Sequence, residues 1–134
     1  MFFITCCAHA QNTQPTNISF TGKWQNAMGS ELEFIVKNGE VSGTYNTNVG
    51  APEKSKSFPL RGLTQGDQIS FSVNFKGYNS MSAWVGQLTL DDTGNPYLRT
   101  MWHNTKDIPD AQEKDNIWGS IRTGASNFTK LREH

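Results

Sequence analysis

Between Ile69 and Phe75 the chain reads Ile-Ser-Phe-Ser-Val-Asn-Phe, with an apolar side chain at every second position. Successive side chains on a strand point to opposite faces, so this run presents one apolar and one polar face, the pattern of a half-buried β-strand. Comparable short runs recur along the chain at intervals of roughly 8–12 residues, as in β-sandwiches and barrels. The predicted strands are 20–26, 31–37, 41–48, 56–63, 68–76, 82–91, 96–103 and 117–131, the last with a candidate break near Gly124. Asn38-Gly39, Gln65-Gly66-Asp67 and Asp92-Thr93-Gly94-Asn95-Pro96 mark turns, and the polar stretch from Asn104 to Asn116 reads as a long connector. No window of helical length keeps a 3.6-residue period without Gly or Pro inside it. Eight short strands in 134 residues point to an all-β fold, an eight-stranded antiparallel up-and-down β-barrel, whose closure removes the exposed edges of a neutral, Thr-rich sheet.

Composition narrows the function. Hydrophobic residues make up 35% and charged residues 18%, both low, yet 11% are aromatic and four are Trp, so the chain has the means to build a packed core. Lys and Arg number 12, as do Asp and Glu, with no run of like charge, which leaves no electrostatic footprint for nucleic acid or an anionic membrane. No segment approaches the ~20 apolar residues of a membrane-spanning helix. Residues 1–7 are apolar and lead into Ala8-His9-Ala10, a pattern that signal peptidases cut after. Residues 1–10 therefore read as a signal peptide remnant, shorter than usual and without a basic start, of a secreted or periplasmic protein. Cys6 and Cys7 lie inside it, so the remaining chain has no thiol or disulfide. Residues 11–19 form a polar lead-in and residues 20–132 the barrel domain.

Chemistry finds few candidates. Beyond the leader the histidines are His103 and His134, too few to serve as the base of a nucleophilic triad with any clear partner, and His103 beside an Asn-rich stretch reads as a surface residue. No cluster of His, Cys and carboxylates suggests a metal. Glu31, Glu33, Asp91 and Asp92 sit at strand starts or turns rather than as an inward pair. The expectation is a protein that is not an enzyme and needs no cofactor. More telling is strand parity: Tyr45 and Thr47 share a face, as do Ser80, Ser82 and Trp84. Such residues can sit at barrel ends with their polar atoms in water. Their recurrence on several strands favours instead an interior cavity for one small ligand, with aromatic walls and a few placed hydrogen-bonding groups.

Five motifs then occur in order: Gly22-Lys23-Trp24-Gln25-Asn26-Ala27-Met28-Gly29-Ser30, Gly43-Thr44-Tyr45-Asn46-Thr47, Trp84-Val85-Gly86-Gln87, Thr100-Met101-Trp102 and Asn127-Phe128-Thr129-Lys130-Leu131. Together, across about residues 20–132, they resemble the strand motifs of the avidin and streptavidin family. The resemblance implies high-affinity, non-catalytic binding of biotin, with sequestration of the vitamin as the role. Asn26, Ser30 and Tyr45 then match donors to the ureido oxygen, and Thr47 an acceptor for one ureido N–H. Ser82 matches the hydroxyl near the thiophene sulfur, Ser80 a ligand of the valerate carboxylate, and Ala51 a backbone N–H to that carboxylate; Val49 also falls among the ligand-binding positions. Trp84 and Trp102 match pocket walls. Trp118 matches a Trp lent to the neighbouring subunit of a homotetramer, which is the assembly the resemblance implies.

Two positions depart from the pattern. Phe75 stands where the family usually has Trp, and Ser126 where an Asp or Asn accepts the other ureido N–H. Asn127 is an alternative to Ser126, though neighbours on a strand face opposite ways. The competing functional reading is a lipocalin-like barrel carrying another small apolar molecule. Three convergent donors argue against it. Asn17-Ile18-Ser19 and Asn127-Phe128-Thr129 fit a glycosylation sequon, a frequent chance match.

Overall fold

The computed structural model describes residues 18–48 and 56–133. Its strands are β1 (Gly22–Asn26), β2 (Glu31–Lys37), β3 (Glu40–Asn46), β4 (Ser57–Gln65), β5 (Gln68–Phe75), β6 (Ser80–Leu90), β7 (Pro96–Lys106) and β8 (Ile121–Lys130). Each pairs antiparallel with the next, and β8 returns to pair with β1, so the sheet closes into a barrel. The period-two expectation holds: on β5, Ile69, Phe71 and Val73 are buried at 2%, 3% and 0% exposure, while Gln68, Ser70, Ser72 and Asn74 face solvent.

Several expectations need correction. The segment predicted as a strand over 117–131 begins as a one-turn helix, α2 (Ile117–Ser120), preceded by α1 (Asp110–Glu113). The Gly119 N–H donates to the Asn116 carbonyl and the Ser120 hydroxyl to the Ile117 carbonyl, which turns the chain before β8 can start. From Ile121 the strand then runs through Gly124 without a break. Strand β7 continues three residues past its predicted end at 103. The cause is a partner: Ser80 pairs with Lys106 and Ser82 with Asn104, so polar residues that resemble a loop in sequence have a ladder to join. The leader, most of the lead-in, the Asn17 sequon, Val49 and Ala51 lie outside the described residues.

The barrel interior has two halves. In one, the fully buried Trp24, Phe34, Leu60, Leu98 and Phe128 fill the space together with Val41 and Leu88. The Trp24 indole N–H donates to the Phe20 carbonyl at 2.8 Å, so this large ring is buried without an orphaned donor. Lys130 caps this end, its Nζ 5.5 Å from the Trp24 ring centroid and donating to the Ser19 carbonyl at 2.7 Å. Burial pushes the Lys130 pKa down, partly opposed by the negative charge of Glu133. Tight turns join the strands here. Asn38 and Gly39 both adopt positive φ, 52° and 76°, the conformation a two-residue hairpin between β2 and β3 requires.

Aromatic rings continue from this half into the other. Phe34 meets Phe71 edge-on at 5.1 Å, and Phe71 stacks on Trp84 at 4.9 Å with only 9° between planes. Tyr45 then lies 5.2 Å from Trp84 and 5.8 Å from Phe75, whose ring sits 5.1 Å from Phe58. Each such pair contributes about 0.5–1.5 kcal/mol beyond its area burial. The stack is a wall on one side and core on the other.

Candidate functional site

Past Trp84 the interior is no longer filled. A cavity of about 370 Å³ opens there, lined among others by Asn26, Ser30, Tyr45, Thr47, Phe75, Ser80, Ser82, Trp84, Trp102 and Ser126. Its volume falls in the range of about 300–1,000 Å³ typical of small-molecule sites. All ten of these side chains were singled out from the sequence, and the barrel brings them together from strands β1, β3, β5, β6, β7 and β8 and the segments just beyond β1 and β3.

The polar groups are not free to point anywhere. Asn26 ends β1, and its Oδ1 accepts the backbone N–H groups of Ser30 at 2.9 Å and Met28 at 3.1 Å. That orientation leaves its Nδ2 as the outward, donating end. Ser30 is fully buried, and its Oγ accepts the Asn48 N–H at 3.0 Å, so its own hydrogen remains available to a ligand. The same turn is tethered a second time, since the Asn48 side-chain amide donates to the Met28 carbonyl at 2.9 Å. Tyr45 is buried between Trp84 and Phe75. Two oriented donors and a phenol thus line one cavity, an arrangement suited to a ligand oxygen that carries partial negative charge. Thr47 is buried beside them.

Trp102 stands on β7 opposite Gly124 on β8. A Cβ on Gly124 would collide with the Trp102 indole, so the glycine is what allows the ring to lie against the strand and border the cavity. Ser126, two residues along β8, faces the cavity and its carbonyl accepts the Thr100 hydroxyl at 2.6 Å. Asn127 is exposed on the outer face, paired with Arg99. Of the two, the side chain that reaches the cavity is Ser126.

Several lining residues escaped the sequence reading: Tyr78, Asn104, Lys106 and Arg122. Asn104 and Lys106 follow Trp102 at the spacing of two that marks one strand face, a signal that extending β7 would have exposed. No Asp or Glu is among the described residues lining the cavity. Trp118 does not reach the cavity of its own barrel; it projects from α2 at 86% exposure. His103 is exposed on the outer face. A more open groove of about 600 Å³ lies outside the barrel between β6, β7, α2 and the start of β8, but Lys106 there stands with Asp107 and Glu113 and no set of donors converges.

Comparison with known proteins agrees with this geometry. The avidin family model matches residues 14–131. Avidin from Gallus gallus is 36% identical over 124 residues, covering 85% of this chain and 79% of that protein. The crystal structure of xenavidin superposes with a TM-score of 0.71 at 32% identity, covering 83% of this chain and 96% of that one. The X-ray structure of a biotin binding protein from chicken gives a TM-score of 0.73 at 29% identity, covering 84% and 95%. A closed eight-stranded barrel, a polar and aromatic cavity at one end of it, and a family match over most of the sequence lead to one assignment: the chain belongs to the avidin family.

Proposed function

We propose that this chain binds biotin in the barrel cavity, one molecule per chain, performs no chemistry on it, and serves to sequester the vitamin. The observation that carries the reading is that Asn26, Ser30 and Tyr45 line one cavity, two of them oriented as donors by their own hydrogen bonds. These three donate to the ureido oxygen. Thr47 accepts one ureido N–H and Ser126 the other. A neutral hydroxyl polarises the ureido group less than a carboxylate does, so Ser126 lowers affinity relative to relatives with an acid there. Trp84, Trp102 and Phe75 form the walls, Ser82 lies near the ring sulfur, and Ser80 with the Ala51 N–H meets the carboxylate. A carrier of a purely apolar molecule has no use for a cavity lined by oriented polar donors, which disfavours the lipocalin-like alternative.

Titration calorimetry with free biotin tests this reading. One site per chain and a higher thermal midpoint are expected, because a ligand that binds only the native state must stabilise it. Absence of both heat and thermal shift at saturating biotin would falsify it.

The same reading includes export and assembly as a homotetramer. Trp118 at 86% exposure, together with exposed Met81, Val85 and Met101 on the outer face of β6 and β7, is apolar surface that association would cover. Trp118 then completes the cavity of a neighbouring subunit. In that case Trp118→Ala weakens biotin and shifts the particle mass towards dimers together, as expected when binding and assembly are coupled. A variant with unchanged mass and unchanged biotin release removes Trp118 from the site.

A further inference from the structure

The chain has four methionines, of which Met1 lies outside the described residues. The other three are exposed to a similar degree, Met28 at 62%, Met81 at 50% and Met101 at 64%, but their surroundings differ. Met81 and Met101 face outward on β6 and β7, Met81 against the outer groove. Met28 lines the ligand cavity, and among the described methionines it alone does so.

Met28 belongs to the turn between β1 and β2. In that turn the Asn26 N–H donates to the Ser30 carbonyl and the Gly29 N–H to the Asn26 carbonyl, each at 3.0 Å. The Met28 N–H donates to Asn26 Oδ1 at 3.1 Å, and the Met28 carbonyl accepts the Asn48 side-chain amide at 2.9 Å. Both backbone groups of Met28 are therefore tied. Its thioether is carried by the same turn that orients Asn26 and Ser30 as donors.

A thioether reduces peroxides. The sulfur lone pair attacks one oxygen of hydrogen peroxide, the O–O bond breaks as the S–O bond forms, and the second oxygen leaves with both hydrogens as water. Sulfur gives up two electrons and the peroxide takes them. The product, a sulfoxide, replaces an apolar group by a polar one whose oxygen accepts hydrogen bonds.

We propose that Met28 is an oxidation site coupled to ligand occupancy: a peroxide converts it to the sulfoxide when the cavity is empty, bound ligand shields it, and the oxidised protein releases its ligand faster. The inference rests on the biotin reading and goes beyond it. Oxidation acts twice on the site, by removing apolar contact with the ligand and by adding an acceptor oxygen next to the donors Asn26 and Ser30, where it competes with the ligand's own oxygen. Met81 and Met101 lie outside the cavity, so they serve as references within the same molecule.

The test treats the full chain with hydrogen peroxide, with and without biotin, at a protein concentration where the particle mass is the same in both. Peptide mass spectrometry follows the added oxygen at each methionine. At free biotin about ten times the dissociation constant, Met28 oxidation should slow roughly tenfold, because only the empty fraction reacts, while Met81 and Met101 keep their rates. Protein oxidised while empty should then release biotin roughly tenfold faster than untreated protein, about what a methionine's apolar contact is worth. In Met28→Leu, peroxide should leave the variant's own release rate as it was before treatment. In Met81→Leu/Met101→Leu the acceleration should persist. General damage by peroxide would instead accelerate release in Met28→Leu as well and lower its thermal midpoint without ligand. Met28 oxidation at one rate with and without bound biotin, an unchanged release rate in oxidised wild type, or acceleration that survives in Met28→Leu overturns the inference and leaves biotin binding intact. Absence of binding heat in the untreated protein overturns the biotin reading itself.

Discussion

The two halves of this barrel are made by the same strands, yet one is filled and the other hollow. The change takes a single inward step. On β1 it falls between Trp24 and Asn26, on β8 between Phe128 and Ser126, and on β6 between Trp84 and Ser82. In each case a large buried ring gives way to a small polar side chain. A closed ring of backbone hydrogen bonds cannot collapse inward to fill the missing volume, so small residues at inward positions become a cavity instead of a looser core. The packed half supplies cohesion without touching the ligand. The hollow half supplies recognition, and its buried hydroxyls and amides make it costly to keep empty.

The largest expected effect that sharpens this contrast is in the packed half. Trp24→Ala removes a fully buried indole and should cost about 3–5 kcal/mol of stability, read as a lower denaturation midpoint. Because Trp24 does not line the cavity, protein that stays folded should still bind biotin with one site per chain. Loss of binding in a folded Trp24→Ala barrel would mean that the halves are not separable. Next comes the hollow half. Tyr45→Phe keeps the ring against Trp84 and removes only the hydroxyl, so biotin binding should weaken by about 1–3 kcal/mol while the unliganded midpoint changes little. A large fall in that midpoint with biotin affinity preserved would move Tyr45 from recognition to core.

The smallest effect lies in a turn at the packed end. The Asp91 carboxyl is held below the ordinary carboxylate pKa, chiefly by the Thr93 hydroxyl and then by the Asn95 N–H, against a smaller opposing effect of desolvation. A carboxylate depressed in the folded state stabilises above its unfolded pKa, and that contribution disappears as the pH falls through the folded value. Wild type and Asp91→Ala should therefore differ near neutral pH and converge in acid. A gap in thermal midpoint that is the same at both extremes would show that the turn's charge plays no part. Biotin binding should be alike in the two at neutral pH.

Much of this architecture was legible in the sequence because alternation reports directly on which side of a strand is wet. That signal is strong where the inner face is apolar, as at Ile69, Phe71 and Val73. It fades where the inner face lines a cavity. Asn104 and Lys106 are inward residues of β7, but with polar neighbours on both sides they carry no alternation, and the stretch resembles a loop. Trp118 misled in the opposite direction: an Ile-Trp pair beside a strand looks like more strand, whereas the turn closed at Gly119 puts it on a one-turn helix. The cavity residues Asn26, Ser30, Tyr45 and Thr47 were identified by motif, and periodicity alone would have found only the last two.

Closure of the ring also decides how the molecule can come apart. An open sheet frays from its edges, but a ring has no edge, and exchange of any buried amide requires that a seam between two strands be broken. The seams are unequal. β1 is only five residues long, against eleven each for β6 and β7. Sub-global opening therefore starts at β1, the strand that carries both Trp24 and Asn26, and one excursion exposes the packed half and dismantles the recognition site at once. If Asn26 holds the ligand as proposed, binding closes the weakest seam in the ring, and hydrogen exchange should slow in β1 on both its flanks, including the end at Trp24 that does not line the cavity.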